Sequence, residues 1–311
     1  MNPPFPNIQV SPLGLVPKKN PGEFRVIHHL SYPENESINS RIPESKCTVK
    51  YQTIEDAVKL MKFYGKGCLL SKTDIENSFK IIPIHPDDHE LSGFPLGDQY
   101  YFDKTLPMGL SFSCKLFETF STAVHWIIDH KLGGSGCVHF LDDFLFVGPA
   151  NSPLCLQTLE NILTMSKQIG LPIKTDTTVF PTATLTFLGL ELDSELMEIR
   201  LPLDKLGKLK DQLNHFKFKK KATLRELQSL IGLLSFACSV VPPGRAFLRR
   251  LIDLTIGLSK PHHHRRLNKE ARSDIQAWLI FVESFNGKCL FLSDRWETSE
   301  QLNLNTDVSN I

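Results

Sequence analysis

The 311-residue chain is 41% hydrophobic and 22% charged with a formal net charge of +1, an ordinary globular composition with enough apolar residue for two or three compact units. No apolar run approaches the roughly 18 residues of a membrane span, and the opening MNPPFPNIQV lacks the basic and apolar regions of a secretory signal, so an intracellular protein, cytoplasmic or nuclear and not secreted, is expected with no membrane partner. The seven cysteines, at 47, 68, 114, 137, 155, 238 and 289, are far apart, odd in number and never in a CxxC pair, which points away from a disulfide framework and from a zinc site.

Residues 1–50 are rich in Pro, Ser, Asn and Glu, with one β-like stretch, 24–29, after the turn signal Asn20-Pro21-Gly22; this reads as a hairpin on an extended arm. Residues 54–64 have helical spacing, and GCLLSKTDI reads as a strand that turns polar at its end. Pro107-Met108-Gly109 punctuates the chain before a helix over 113–130. After Gly133-Gly134-Ser135-Gly136 comes CVHFLDDFLFVG, an apolar run with two aspartates at its centre. A helix over 153–169 stops at Gly170, the usual residue for a left-handed cap. Residues 187–192 and 197–201 are expected as a second short hairpin. From 203 onward the pattern is helical and basic, through 224–238, 244–258 and 267–285. The first two hundred residues are therefore mixed α and β, the last hundred mostly helical, with no internal repeat.

The small net charge hides an uneven distribution. From Asp204 to Arg272 there are 16 Lys or Arg against 5 Asp or Glu. Such a segment can hold a phosphate backbone; a solvated face of basic helices is the plainer alternative.

Asp142 and Asp143 interrupt a run whose other side chains are almost all apolar. Aspartate is common in hairpin turns, so a tight turn between two strands accounts for the pair; a cation at the tip is the other account, because a buried, unpaired carboxylate costs several kcal/mol. Asp74 adds a third carboxylate at the end of the strand Gly67-Cys68-Leu69-Leu70. Two neighbouring strands could converge these acids, and an all-oxygen donor set suits Mg²⁺. Two such ions are the arrangement of polymerases and nucleases. The run His262-His263-His264 is a weaker metal candidate, since adjacent histidines do not easily converge on one ion.

The stretches SPLGLVPKKNPGEFRVIHHLSYP, KTDIENSFKIIPIHPDD, LPMGLSFSCKLFE, HFLDDFLFVGPA, LTFLGLELD and LQSLIGLLSFACSVVPPGRAFLRRLIDL, in this order and spacing, resemble reverse transcriptases, most closely those of DIRS-like retrotransposons, which carry a tyrosine recombinase. The resemblance implies an α+β fold of the right-hand polymerase type with fingers, a ferredoxin-like palm and a helical thumb. It places fingers at 1–66 and about 80–106, palm over 67–202, thumb at 203–260, and at 261–311 a linker helix leading into the start of a ribonuclease H-like domain.

Carried onto matching positions, the resemblance implies that Asp74 and Asp142 bridge two Mg²⁺ (or Mn²⁺) ions, with Asp143 beside them and the carbonyl of Ile75 in the metal shell. Lys18 (or Lys19, one register away) and Arg25 would grip the triphosphate, Phe79 would exclude a ribose 2′-hydroxyl, and Met108 with Gly109 would pack under the nascent pair. Many retroviral relatives have Gln where Met108 stands, and the aromatic usual before the catalytic pair is here Phe140-Leu141. Lys174 matches a lysine that protonates leaving pyrophosphate, and Phe187, Leu188 and Gly189 match the primer grip. Lys217, Lys219, Lys220, Lys221, Arg245, Arg249 and Arg250 would hold the template and primer. Residues 303–310 look like a first ribonuclease H strand with Asp307 as its metal ligand; with the chain stopping at Ile311, no hybrid-cleaving activity is expected from it, and no domain is expected upstream of Met1. The expected partners are an RNA or DNA template with its primer and deoxynucleoside triphosphates; the oligomeric state stays open. Three rivals stand beside a reverse transcriptase: a catalytically weak remnant that binds nucleic acid, an RNA polymerase, against which Phe79 argues, and a purely structural or interaction role, which leaves the acidic pair unexplained.

Overall fold

The structure, a computed structural model, describes residues 4–17, 22–131, 136–285 and 288–290. Lys18, Lys19 and the stretch 303–310 with Asp307 lie outside the described residues. The chain divides into two compact units, Met1–Met197 and Glu198–Ile311.

The first unit opens with β1 (Leu13–Pro17) and β2 (Phe24–His28), an antiparallel hairpin as expected. After the single turn α1 (Glu44–Cys47), α2 (Ile54–Tyr64) starts at Thr53, whose backbone N–H donates to the Asp56 carboxylate in a capping box. It stops at Gly65, whose φ of 81° a side chain would resist. β3 (Leu69–Ile75), the hairpin β4 (Gly93–Leu96) and β5 (Gln99–Phe102), α3 (Ser113–Lys131), β6 (Gly136–Phe140), β7 (Asp143–Gly148), α4 (Leu154–Ile169), β8 (Ile173–Thr182), β9 (Thr184–Phe187) and β10 (Leu190–Asp193) follow.

The centre of this unit is an antiparallel sheet in the order β6-β7-β3-β8. Phe144 and Phe146 of β7 join Phe117 and Ile128 of α3 and Leu159 and Ile162 of α4 in one buried cluster. Leu145 and Val147, of opposite parity, are also fully buried, and α2 packs on β6 and β7. Burial of both faces is why this run shows no apolar–polar alternation. Each such side chain taken from water stabilises the unit by about 1.5–3 kcal/mol, so the sheet that carries the carboxylates is anchored from both sides.

One expected strand is divided. Residues 187–192 contain a tight turn at Leu188 and Gly189, both left-handed with φ of 47° and 78°, which folds β9 back onto β10. The sequence marks that turn only by a single glycine.

In the second unit β11 (Glu198–Arg200) precedes α5 (Leu203–Lys217), β12 (Lys221–Thr223), α6 (Leu224–Ala237), α7 (Arg249–Asp253), β13 (His264–Arg266), α8 (Lys269–Phe285) and β14 (Lys288–Leu290). Leu206, Leu209, Leu213 and Phe216 form the buried stripe of α5, at helical spacing, and α5 packs on α8 and α6. The helix expected over 244–258 is a correction: residues Pro242–Phe247 form a 3-10 turn and only Arg249–Asp253 is α-helical. Gly244 lies so close to Trp278 of α8 that an added Cβ would sit 2.3 Å from the indole, so packing against a distant residue rather than helical period sets the backbone there. The pairs β12–β13 and β11–β14 were not expected, because three-residue strands are too short to show a period.

Candidate active site

β6 and β7 are joined by a two-residue turn, Leu141-Asp142, with Phe140 opposite Asp143. Leu141 has φ of 52°, a left-handed conformation that costs a branched side chain roughly 1–2 kcal/mol. On the next strand Asp74 lies directly opposite Asp143. The Ile75 N–H donates to the Asp142 carbonyl at 3.0 Å, which holds the end of β3 against the turn. The three aspartates expected from the sequence are thus gathered at one end of the sheet.

Their electrostatics are unbalanced. Burial, then a hydrogen bond to Asp74, then the charges of Asp74 and Asp142 push Asp143 up to about 8. Burial also raises Asp74, but hydrogen bonds from Asp143 and Thr177, with the Lys72 and Lys174 charges, outweigh it and hold that carboxyl below its usual range. Burial and mutual charge therefore drive the two carboxyls in opposite directions. Burial, then the Asp74 charge, raises Asp142, against a Ser78 hydrogen bond and the Arg25 charge.

The donors are carboxylate oxygens, hard ligands that suit Mg²⁺ or Mn²⁺, and Asp74 Oδ1 is buried with no hydrogen-bond partner, an oxygen for which a cation is the usual remedy. Among the described residues no group of three His, Cys, Asp or Glu side chains is already placed to hold a metal ion. The hard carboxylate donors and the unpartnered Asp74 oxygen fit such an ion.

Other expected residues fall around this centre. Phe79, half-buried, follows the left-handed Asn77 and packs on Phe117 with ring centres 5.4 Å apart. Lys174 is exposed and lies across from Asp74 on β8. Arg25 is exposed on β2, and its charge reaches Asp142. The Met108 carbonyl accepts the His28 N–H at 2.8 Å. Gly109, at φ of 131°, approaches so closely that an added Cβ would sit 1.8 Å from the His28 carbonyl oxygen; only glycine fits there. Of the three expected primer-grip residues, Leu188 and Gly189 form the half-buried turn of the β9–β10 hairpin, whereas the Phe187 side chain is buried at 1% exposure and packs in the core.

In the second unit Lys217, Lys220, Lys221 and Arg245 are exposed. Lys219 already pairs with Glu226, Arg249 with Asp253 at 3.0 Å and Arg250 with the buried Asp274 at 2.8 Å, so a phosphate would have to compete for these three. The histidine run 262–264 converges on nothing: the His263 carbonyl accepts the Leu224 N–H.

Several residues of this region carry no sequence signal. Asn39 donates to the Gly109 carbonyl at 2.8 Å and accepts the Ser111 N–H at 2.9 Å, latching the loop. Buried His28 lies 3.0 Å from Asp103, which also pairs with Lys80 at 3.1 Å. Glu118 accepts the Leu141 N–H at 3.1 Å. An apolar cavity of about 430 Å³ behind the Met108 loop, lined by Leu30, Leu106 and Leu110 among others, contains none of the three aspartates; the carboxylates, not the hollow, mark the chemistry.

Solved structures show that the fold is of the right-hand polymerase type. The foamy viral protease–reverse transcriptase, in structures titled as complexes with double-stranded DNA and with an RNA/DNA hybrid, superposes with a TM-score of 0.64 over 90% of this chain at 21% and 20% identity, covering 44% and 34% of those chains. Residues 16–192 match the family model described as reverse transcriptase (RNA-dependent DNA polymerase). The chain belongs to that family. It is 26% identical over 221 residues to the Gag-Pro-Pol polyprotein of Mason-Pfizer monkey virus, matching 68% of this chain and 12% of the polyprotein. It is 24% identical over 256 residues to Protein P of heron hepatitis B virus, matching 81% of this chain and 31% of that protein. The chain therefore spans a minor part of the relatives it matches.

Proposed function

We propose that this chain is an RNA-directed DNA polymerase, a nucleotidyltransferase that adds deoxynucleotides to a primer 3′-hydroxyl on an RNA or DNA template. The observation that carries this reading is the meeting of Asp74 on β3 with Asp143 on β7, with Asp142 on the adjoining β6–β7 turn and a buried Asp74 oxygen left without a partner. When bound there, two Mg²⁺ or Mn²⁺ ions would acidify the attacking hydroxyl and stabilise the departing pyrophosphate.

Asp74 and Asp142 hold the ions, the Ile75 carbonyl completes the shell, and Asp143 fixes the geometry through its partner Asp74. Arg25, a planar fork of donors, and Lys18 bind the triphosphate. Met108 and Gly109 pack under the nascent pair. Phe79 closes the space beside the sugar C2′, favouring deoxynucleotides. Lys174, exposed opposite Asp74, gives a proton to pyrophosphate. The Leu188-Gly189 turn supports the primer end, and Lys217, Lys220, Lys221 and Arg245, with Lys219, Arg249 and Arg250 in competition with their carboxylates, hold the backbone electrostatically. In this reading residues 1–66 and 80–106 are fingers, 67–202 palm, 203–260 thumb and 261–311 begins with a linker helix. The order of the quoted motifs supports a DIRS-like lineage within the family.

The test is primer extension on an RNA template with Mg²⁺, comparing wild type with Asp142→Asn. Removing a ligand carboxylate should lower extension by about 10²-fold or more. Equal extension by both proteins rejects the assignment, and template binding with no extension by wild type supports a binding remnant instead.

A further inference from the structure

The turn that presents Asp142 and Asp143 is held from behind by a line of side chains that the polymerase reading does not use. Glu118, on α3 and 6% exposed, accepts the Leu141 N–H on Oε2 at 3.1 Å. Its Oε1 lies 3.2 Å from Nε2 of His139 on β6, itself 4% exposed. The approach is bent rather than a well-aligned hydrogen bond. His139 Nδ1 lies 2.6 Å from Nδ1 of His125, and His125 Nε2 lies 3.2 Å from Asp129. The far end opens on a surface hollow of about 360 Å³ that Lys50 and Trp126 help to line. Gln52 fixes the same strand by accepting the His139 backbone N–H at 2.8 Å.

The hydrogen count along this line assigns the protons. Two imidazole nitrogens 2.6 Å apart must have a proton between them, since two lone pairs would repel. His125 presents Nε2–H to the Asp129 carboxylate, which leaves its Nδ1 as acceptor and makes His139 Nδ1 the donor. His139 Nε2 then faces Glu118 Oε1 at 3.2 Å. Burial acts on both groups. It raises Glu118, and burial followed by the His125 charge pushes His139 down to about 4. Burial thus disfavours the charged form of both Glu118 and His139, in line with the cost of two desolvated charges.

Leu141 supplies the reason for such a construction. It is a γ-branched residue in a left-handed turn, and its N–H would be driven back toward an ordinary conformation without a fixed acceptor. We propose that Glu118 is a positioning residue of the carboxylate turn, anchored by His139 so that its second oxygen fixes the Leu141 N–H and thereby the direction of Asp142 and Asp143. This inference rests on the polymerase reading of that turn and adds to it a residue that touches neither substrate nor metal.

Four variants test it: Glu118→Ala, Glu118→Gln, Leu141→Gly and the Glu118→Ala/Leu141→Gly pair, each followed by amide hydrogen exchange at Leu141 without metal and by single-nucleotide incorporation. Glu118→Ala should speed Leu141 exchange at least about tenfold and lower kcat about 10–10²-fold with nucleotide KM little changed, the scale expected for misplacing a reacting group by under 1 Å. Glu118→Gln should restore both readouts, because its amide keeps a carbonyl oxygen to accept the Leu141 N–H. Glycine adopts the left-handed turn without strain, so Glu118→Ala should cost less in the Leu141→Gly background. If the alanine variant does not fold, Glu118→Met fills its space without accepting a hydrogen bond and gives the same comparison. Unchanged Leu141 exchange in the Ala or Met variant overturns the proposal, and so does a Gln variant as impaired as Ala. A wild type that fails to extend primers would count against the polymerase reading, while the exchange result would still decide the role of Glu118.

Discussion

Replacing Gly109 with alanine isolates the loop that carries Met108. At Gly109 the backbone φ is 131°, outside the regions open to L side chains, and an alanine Cβ would lie 1.8 Å from the His28 carbonyl oxygen and 3.5 Å from Ile27. An ordinary contact needs more than 3 Å, so the loop and β2 must part by more than about 1 Å. That shift strains the bond from the His28 N–H to the Met108 carbonyl, 2.8 Å long, and the Asn39 latch on the Gly109 carbonyl. The backbone term alone is about 1–3 kcal/mol. Because a displacement of about 1 Å in a group that positions a substrate lowers rate by about 10²-fold, Gly109→Ala should lower kcat/KM for nucleotide incorporation by that order. Thermal unfolding should register the 1–3 kcal/mol loss separately. The assay is single-turnover incorporation beside a melting curve. Incorporation within about twofold of wild type in a protein with a lowered Tm would show that the loop is structural and refute its part in nucleotide binding.

Other outcomes follow from the same structure. Phe79→Ala opens the space beside Phe117 and should raise ribonucleotide relative to deoxynucleotide incorporation by about tenfold or more, measured by competition; an unchanged ratio removes Phe79 from sugar selection. Gly244→Ala forces a methyl to within 2.3 Å of the Trp278 ring and should destabilise the second unit by about 1–3 kcal/mol, read by denaturant unfolding. Hydrogen bonds from Lys219 and Thr223 hold Glu226 down to about 2 against an ordinary 4.5. A carboxyl depressed on folding stabilises the fold above its unfolded value, so the advantage of wild type over Glu226→Gln should be constant above pH 5 and shrink as pH falls from about 4.5 toward 2. A difference independent of pH would mean that the Gln variant acts through packing.

Much of the carboxylate centre is legible in the chain itself. Asp74 ends an apolar strand and Asp142-Asp143 split an apolar run, and acids at such places need either a turn or a cation. The β1–β2 hairpin, α2, α3 and α4 are also readable, because helical period, the glycine stops at 65 and 170 and turn signals are written within a few residues. The helix expected over 244–258 is not, since Gly244 is fixed by Trp278, a residue far along the chain. Phe187 reads as part of a contact surface, yet parity on β9 sends its ring into the core. Asn39, His28, Glu118 and His139 are ordinary residues until their partners are known; Glu118 meets Leu141 across 23 positions and His28 meets Asp103 across 75.

The division follows the range of the forces. Periodicity, capping and turn preference act between near neighbours, so the sequence alone determined the main elements and marked Asp74, Asp142 and Asp143 as acids at strand ends and a turn. Strand register and helix packing act between distant segments. Only they decided that Asp143 faces Asp74, that Gly109 presses on His28, and that the strained turn at Leu141 rests on Glu118.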